Sequence, residues 1–193
     1  MVVKDSPMRN ALVLVPVTLV ILSLSPARPL AAGAADPSVP QTVCDVDLNV
    51  MDKDPKGLNV RATPQVLPNN VRTRIPHADW TRVHVVGMSG DWYQISNYQS
   101  FNDNGTDDDE PNDLPGSHRG WVHKSMLGDV DAFHGALMYA APSARGKPIY
   151  HFPADEMHID AVLGCKGKFL HVRYKGTTGW LRDVCTNERT TCV

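Results

Sequence analysis

The sequence predicts an all-β protein built from two small modules in tandem, and three observations carry that reading. A ten-residue stretch occurs twice, as Val86-Gly87-Met88-Ser89-Gly90-Asp91-Trp92-Tyr93-Gln94-Ile95 and, offset by 77 positions, as Leu163-Gly164-Cys165-Lys166-Gly167-Lys168-Phe169-Leu170-His171-Val172. Each copy is an apolar run, two glycines three apart, a polar residue, an aromatic and an alternating tail, the pattern of strand, tight turn and strand. Gly120-Trp121-Val122 follows the first copy and Gly179-Trp180-Leu181 the second, while Ala62-Thr63-Pro64 upstream corresponds to Ala140-Ala141-Pro142 at an offset of 78. Anchors that recur in the same order mark a duplicated module. The Gly-Trp pair recurs at 59 rather than 77, so the first module carries 18 extra residues.

Composition fits a globular chain: 193 residues, 42% hydrophobic, 21% charged, with a formal net charge of −2. That balance argues against nucleic acid as a partner, which a strongly basic surface would serve. Lys4 and Arg9 precede an apolar run from Ala11 to Leu24, and Ala32-Gly33-Ala34 has the form of a cleavage site. Residues 1–34 therefore read as a secretory signal peptide, its apolar run shorter than the roughly 20 residues of a membrane span. The expectation is an exported protein, periplasmic or secreted, with no stable membrane span after cleavage. Cys44, Cys165, Cys185 and Cys192 all lie in the exported part, and an even count there predicts two disulfides. Cys185 with Cys192 closes a short tail loop and leaves Cys44 for Cys165; pairing Cys165 with Cys185 or Cys192 is the alternative.

In chain order, Asp36–Thr42 reads as a disordered leader. Val43–Val50 alternates and reads as a strand, Met51–Gly57 as a loop, and Leu58–Pro64 as a short extended segment ended by a proline turn. The order Leu58-Asn59-Val60-Arg61-Ala62-Thr63-Pro64, then Gly90-Asp91-Trp92-Tyr93-Gln94-Ile95, then Gly120-Trp121-Val122-His123 resembles the bacterial SH3 (SH3b) domain. The resemblance implies a small, strongly bent barrel of about five strands. The first SH3-like domain spans 43–128.

Asn69–Thr81, with its prolines, Asn and charges, reads as a loop leading to a strand over Arg82–Val86. Alternation then separates Trp92 and Gln94 from Tyr93 and Ile95, and Phe169 and His171 from Leu170 and Val172. The uniformly apolar or aromatic sets fit a core. The insertion 97–118, with Asp103, Asp107, Asp108, Asp109, Glu110 and Asp113, reads as an exposed acidic loop. Centring a calcium loop on Gly105 would make Ser100 and Pro111 its first and last ligands, and both fail. Lys124–Leu127 reads as a turn of helix and Gly128–Asp131 as a linker. A second SH3-like domain spans 132–186, with a basic turn at Arg145–Pro148 and strands near Ile159–Leu163 and Phe169–Tyr174. Its opening departs from the family, with Leu137-Met138-Tyr139-Ala140 in place of Leu-Asn-Val-Arg. Residues 187–193 form a tail.

Converging catalytic groups are missing from the sequence. There is no Gly-x-Ser-x-Gly elbow, His-Glu-x-x-His, Cys-x-x-Cys or phosphate-cradling loop, and the eight histidines are scattered. No enzyme activity, no metal site and no cofactor is expected. Cell-wall hydrolases often pair an SH3b domain with a catalytic one, and here the signal peptide, two modules and tail account for the chain. Recognition remains: Trp92, Tyr98, Tyr139 and Phe169 are candidate ligand-binding residues, while Trp121 and Trp180 read as core. The resemblance implies a partner among cell-wall peptides, peptidoglycan or other envelope components. The alternative is a periplasmic interaction or inhibitor protein that uses the acidic loop against a basic partner.

Overall fold

Alternation along the first strand sets up the sheet. Val46 and Leu48 are buried while Asp45 and Asp47 reach solvent, so β1 (Thr42–Val50) turns one face to the core. The computed structural model describes residues 39–101, 112–114, 119–153 and 157–186, all within one unit, Ala35–Val193. The expected signal peptide, the centre of the acidic segment and the tail fall outside the described residues. β2 (Leu58–Arg61), β3 (Val71–Ile75), β4 (Trp80–Ser89), β5 (Trp92–Phe101), β6 (Asn112–Asp113), β7 (Gly120–His123) and β8 (Leu127–Gly128) complete the first copy. They pair in the order β3-β2-β7-β5-β4-β1-β8, with β6 against β5.

The second copy comprises β9 (Asp131–Ala132), β10 (Leu137–Tyr139), β11 (Pro148–His151), β12 (Met157–His158), β13 (Ala161–Lys166), β14 (Phe169–Tyr174), β15 (Thr177–Leu181) and β16 (Val184–Cys185). Its two sheets run β11-β10-β15-β14-β13 and β12-β9-β16. With β12 and β13 taken together as the counterpart of β4, broken at Ile159–Asp160, this is the strand order of the first copy. The chain is all-β. Its repeated hairpin is β4–β5 in one copy and β13–β14 in the other, and the turn glycines Gly90 and Gly167 share a left-handed φ of 54° and 53°. Such a φ is cheap only for glycine.

The glycines of the two Gly-Trp pairs have another reason. At Gly120 a Cβ would overlap Cγ1 of Val60, and at Gly179 one would lie 2.9 Å from the carbonyl oxygen of Tyr139 and 2.5 Å from Cγ of Met138. β7 and β15 can cross β2 and β10 this closely only without a side chain. Tyr93, Ile95, Leu170 and Val172 all join one apolar cluster that runs through both copies. The phenol of Tyr93 is fully buried with no hydrogen-bond partner among the described residues, and burial pushes its pKa far up.

Several expectations are corrected. Val71–Ile75 is a strand, not part of a loop: its alternation buries Ile75 and leaves Arg72 and Arg74 to bond the Arg119 carbonyl and the Asn59 side chain. Prolines on either side masked it. From Val39 the leader is ordered, with the Gln41 amide bonded to Met88 at 2.9 Å. The described parts of the insertion are not a free loop: 97–101 continue β5, 112–113 pair with it, and Leu114 is buried. The linker is Asp129-Val130 between β8 and β9, with Asp129 at φ 50° and Val130 buried. Lys124–Met126 forms a 3-10 turn, and the His123 side chain accepts the Ser125 amide at its start. Among the described residues no helix is long and apolar enough to cross a membrane.

Candidate functional site: aromatic faces and the seam between the copies

Outward positions on β5, β7 and β2 converge in the first copy. Register pairs Trp92 with His123, Gln94 with Trp121, and Trp121 with Arg61. The His123 ring meets Trp92 edge-on at 5.2 Å, and the Arg61 guanidinium lies over the Trp92 ring at 6.0 Å. Gln94 and Trp121 on this face are buried; Trp92 is half-buried.

Equivalent strands of the second copy carry a more aromatic face. Trp180 pairs with Tyr139 and with His171, stacking on the imidazole at 4.8 Å, and Phe169 meets Tyr139 edge-on at 6.5 Å. All four rings are half-buried. Trp180 is therefore not buried as expected, whereas Trp121, on the corresponding face of the first copy, is: strand alternation puts Trp180 on the outer face, opposite buried Gly179 and Leu181.

Of the four candidates, Tyr139 and Phe169 come together on the second copy and Trp92 stands on the first. Tyr98 belongs to neither face. It pairs with buried Val83 and packs against the core, because a bulge between His84 and Val85 reverses the alternation of β5 beyond Ile95. Arg61 and His123 escaped the sequence reading, which assigns Trp180 to the core and places His171 on the face of Phe169 without making it a candidate. His123 could have been found from Trp121, two residues away on the same strand face.

At the seam, the disulfide Cys44–Cys165 joins β1 to β13 with Cα atoms 5.7 Å apart. This excludes pairing of Cys165 with either C-terminal cysteine; Cys185 is also disulfide-bonded, and Cys192 lies outside the described residues. Beside the bridge the Gly167 amide donates to the Val43 carbonyl at 2.9 Å and the Asp45 amide to the Gly167 carbonyl at 2.8 Å.

A second repeat, also unread in the sequence, borders the seam. Asp45-Val46-Asp47 within β1 and Asp129-Val130-Asp131, which runs from the linker into β9, are the same tripeptide, and each faces a histidine of the partner strand. His84 Nδ1 lies 2.8 Å from Asp47 and its Nε2 lies 3.5 Å from Asp45; His158 Nδ1 lies 3.2 Å from Asp131 and 3.7 Å from Asp129. The hydrogen bond to Asp47 raises the His84 pKa above its usual 6.5 despite burial, with the charges of Asp47 and Asp45 adding to it. A raised folded pKa means the stabilisation is fully present below pH 6.5 and lost as pH rises through the folded value. Urea unfolding should show wild type losing up to about 1 kcal/mol relative to His84→Gln between pH 6 and pH 8, the discount reflecting solvent exposure. Parallel pH curves would refute this.

Among the described residues no group of three or more His, Cys, Asp or Glu converges as a metal-ligand set. Cavities flank the sheets among the described residues. One of about 320 Å³ lies against Leu58, Ile75 and Trp80, one of about 400 Å³ over Asp47, Arg82 and His84, and an open groove of about 610 Å³ at the seam.

No family model matches the chain. No curated protein does either. Among solved structures, NlpC2 from Trichomonas vaginalis aligns with a TM-score of 0.33 at 15% identity, over 74% of this chain and 48% of that one. The chain thus spans about half the length of that protein.

Proposed function

We propose that this is a non-catalytic, exported binding protein in which two SH3-like barrels, 43–128 and 132–186, present aromatic faces to a cell-wall peptide or another envelope component. The observation that carries the reading is the placement of half-exposed aromatics on equivalent strands of both copies: Trp92 with His123 and Arg61, then Phe169 with Tyr139, His171 and Trp180. Flat rings on a rigid sheet, with a few polar groups between them, form an adaptable contact surface at low entropic cost. The repeated strand order and the shared turn geometry of Gly90 and Gly167 support reading the copies as one module used twice. Export, with residues 1–34 removed, fits a chain held by a buried disulfide.

Purified sacculi, incubated with the chain lacking 1–34 and sedimented, should retain it. Trp92→Ala and Phe169→Ala should each lower retention several-fold, and the double variant further. Retention equal to that of the double variant, or none, would remove the reading. Salt-sensitive co-purification of a basic protein, lost on deleting the acidic insertion, would instead support an interaction or inhibitor role.

A further inference from the structure

The two hairpin turns share a backbone and differ in charge. Lys166-Gly167-Lys168-Phe169 stands in the second copy where the first has Ser89-Gly90-Asp91-Trp92. In the first copy the charge is answered locally, with Asp91 3.2 Å from the Lys124 ammonium. In the second, Lys166 is exposed and has no ion pair among the described residues, while Lys168 reaches only the exposed Asp45, at 3.7 Å.

Both lysines border the seam groove, whose other walls are Gln41, Thr42 and Val43 of the first copy and Pro142 and Phe169 of the second. Lys166 and Phe169 are cross-strand partners, so cation and ring share a face. Val43, beside Lys166 and Lys168, is 71% exposed and offers the groove an apolar wall. The walls are held at fixed separation by Cys44–Cys165 and the two backbone bonds to Gly167. Such preorganisation lowers the ordering cost of binding.

We propose that this groove binds an acidic peptide segment. A ligand carboxylate is taken by Lys166, a second displaces Asp45 from Lys168, and the aliphatic part of the segment covers Val43, Pro142 and Phe169. A hydroxyl-rich glycan would need many neutral hydrogen-bonding side chains, and the groove offers Gln41 and Thr42 alone. The proposal deepens the binding reading at Phe169 and rests on it there.

Fluorescence anisotropy tests it on the chain lacking 1–34, with a labelled peptide of alternating glutamate and alanine. Its glutamine counterpart and labelled oligogalacturonate serve as comparisons. The acidic peptide should bind, the glutamine peptide at least tenfold more weakly, and Lys166→Glu should weaken the acidic peptide at least tenfold, with an unchanged melting temperature. Lys166→Gln replaces it if charge reversal unfolds the turn. Equal binding of the two peptides, indifference to Lys166, preference for the oligogalacturonate, or no binding would each overturn the proposal. Sacculus retention on the same samples separates the two readings: retention without peptide binding discards the groove alone.

Discussion

Replacing Cys44 and Cys165 together by alanine is expected to cost about 3–5 kcal/mol of folding stability. The bridge closes a loop with a sequence separation of 121, long enough that the chain-entropy estimate approaches 5 kcal/mol. Both cysteines are buried, at 3% and 1% exposure, so the alanines also leave a void at the seam. Alanine is the right replacement because a serine hydroxyl there would need a partner. For a chain of this size the melting temperature should fall by roughly 10 °C, read by calorimetry. The loss should be uneven. Amide exchange at Asp45 and Gly167, whose bonds cross the seam, should accelerate more than at Ile95 or Val172, buried within each copy. A loss under about 1 kcal/mol would mean that packing and those two backbone bonds hold the copies together unaided.

The same seam shows what a sequence can and cannot disclose. The hairpins were legible because turn glycines and a period-two tail are local signals, and Tyr93, Ile95, Leu170 and Val172 are buried as alternation requires. Tyr98 was misplaced because one bulge, at His84/Val85, shifts every later side chain of β5 to the other face. A bulge leaves no clear mark in a polar strand such as Ser96-Asn97. Val71–Ile75 was lost because two arginines and flanking prolines outweigh a four-residue-long partner, and β2 becomes visible as that partner only in the fold. The Asp-Val-Asp pairs were overlooked for a different reason: the tripeptides recur at an offset of 84, while the histidines that give them meaning recur at 74. Trp121 and Trp180 look alike in sequence, and their burial differs through what surrounds each face, which strand periodicity does not encode.

Gly120→Ala should be among the most damaging single-methyl changes in the chain, at about 2 kcal/mol. The new Cβ overlaps Cγ1 of Val60, a fully buried β-branched residue whose stiff χ1 offers no ready escape. Overpacking of this kind costs about 1–3 kcal/mol, against which alanine returns only about 0.4–1 kcal/mol by restricting the unfolded chain. Gly179→Ala meets Met138 and Ile149 side-chain atoms that can yield, and then the Tyr139 carbonyl, which cannot; it should destabilise as well. Gly146→Ala, whose nearest neighbour is a Ser143 carbonyl at 3.9 Å, should be neutral and serves as the control. Urea unfolding of Val60→Ala, Gly120→Ala and the double variant makes the argument quantitative. The alanine at 120 would occupy the space vacated by the valine methyl, so the double variant should be more stable than the two single losses add up to by about 1 kcal/mol or more. Additive losses would mean that β7 moves away from β2 rather than clashing with it, and the closeness of those two strands would no longer explain the glycine of the Gly-Trp pair.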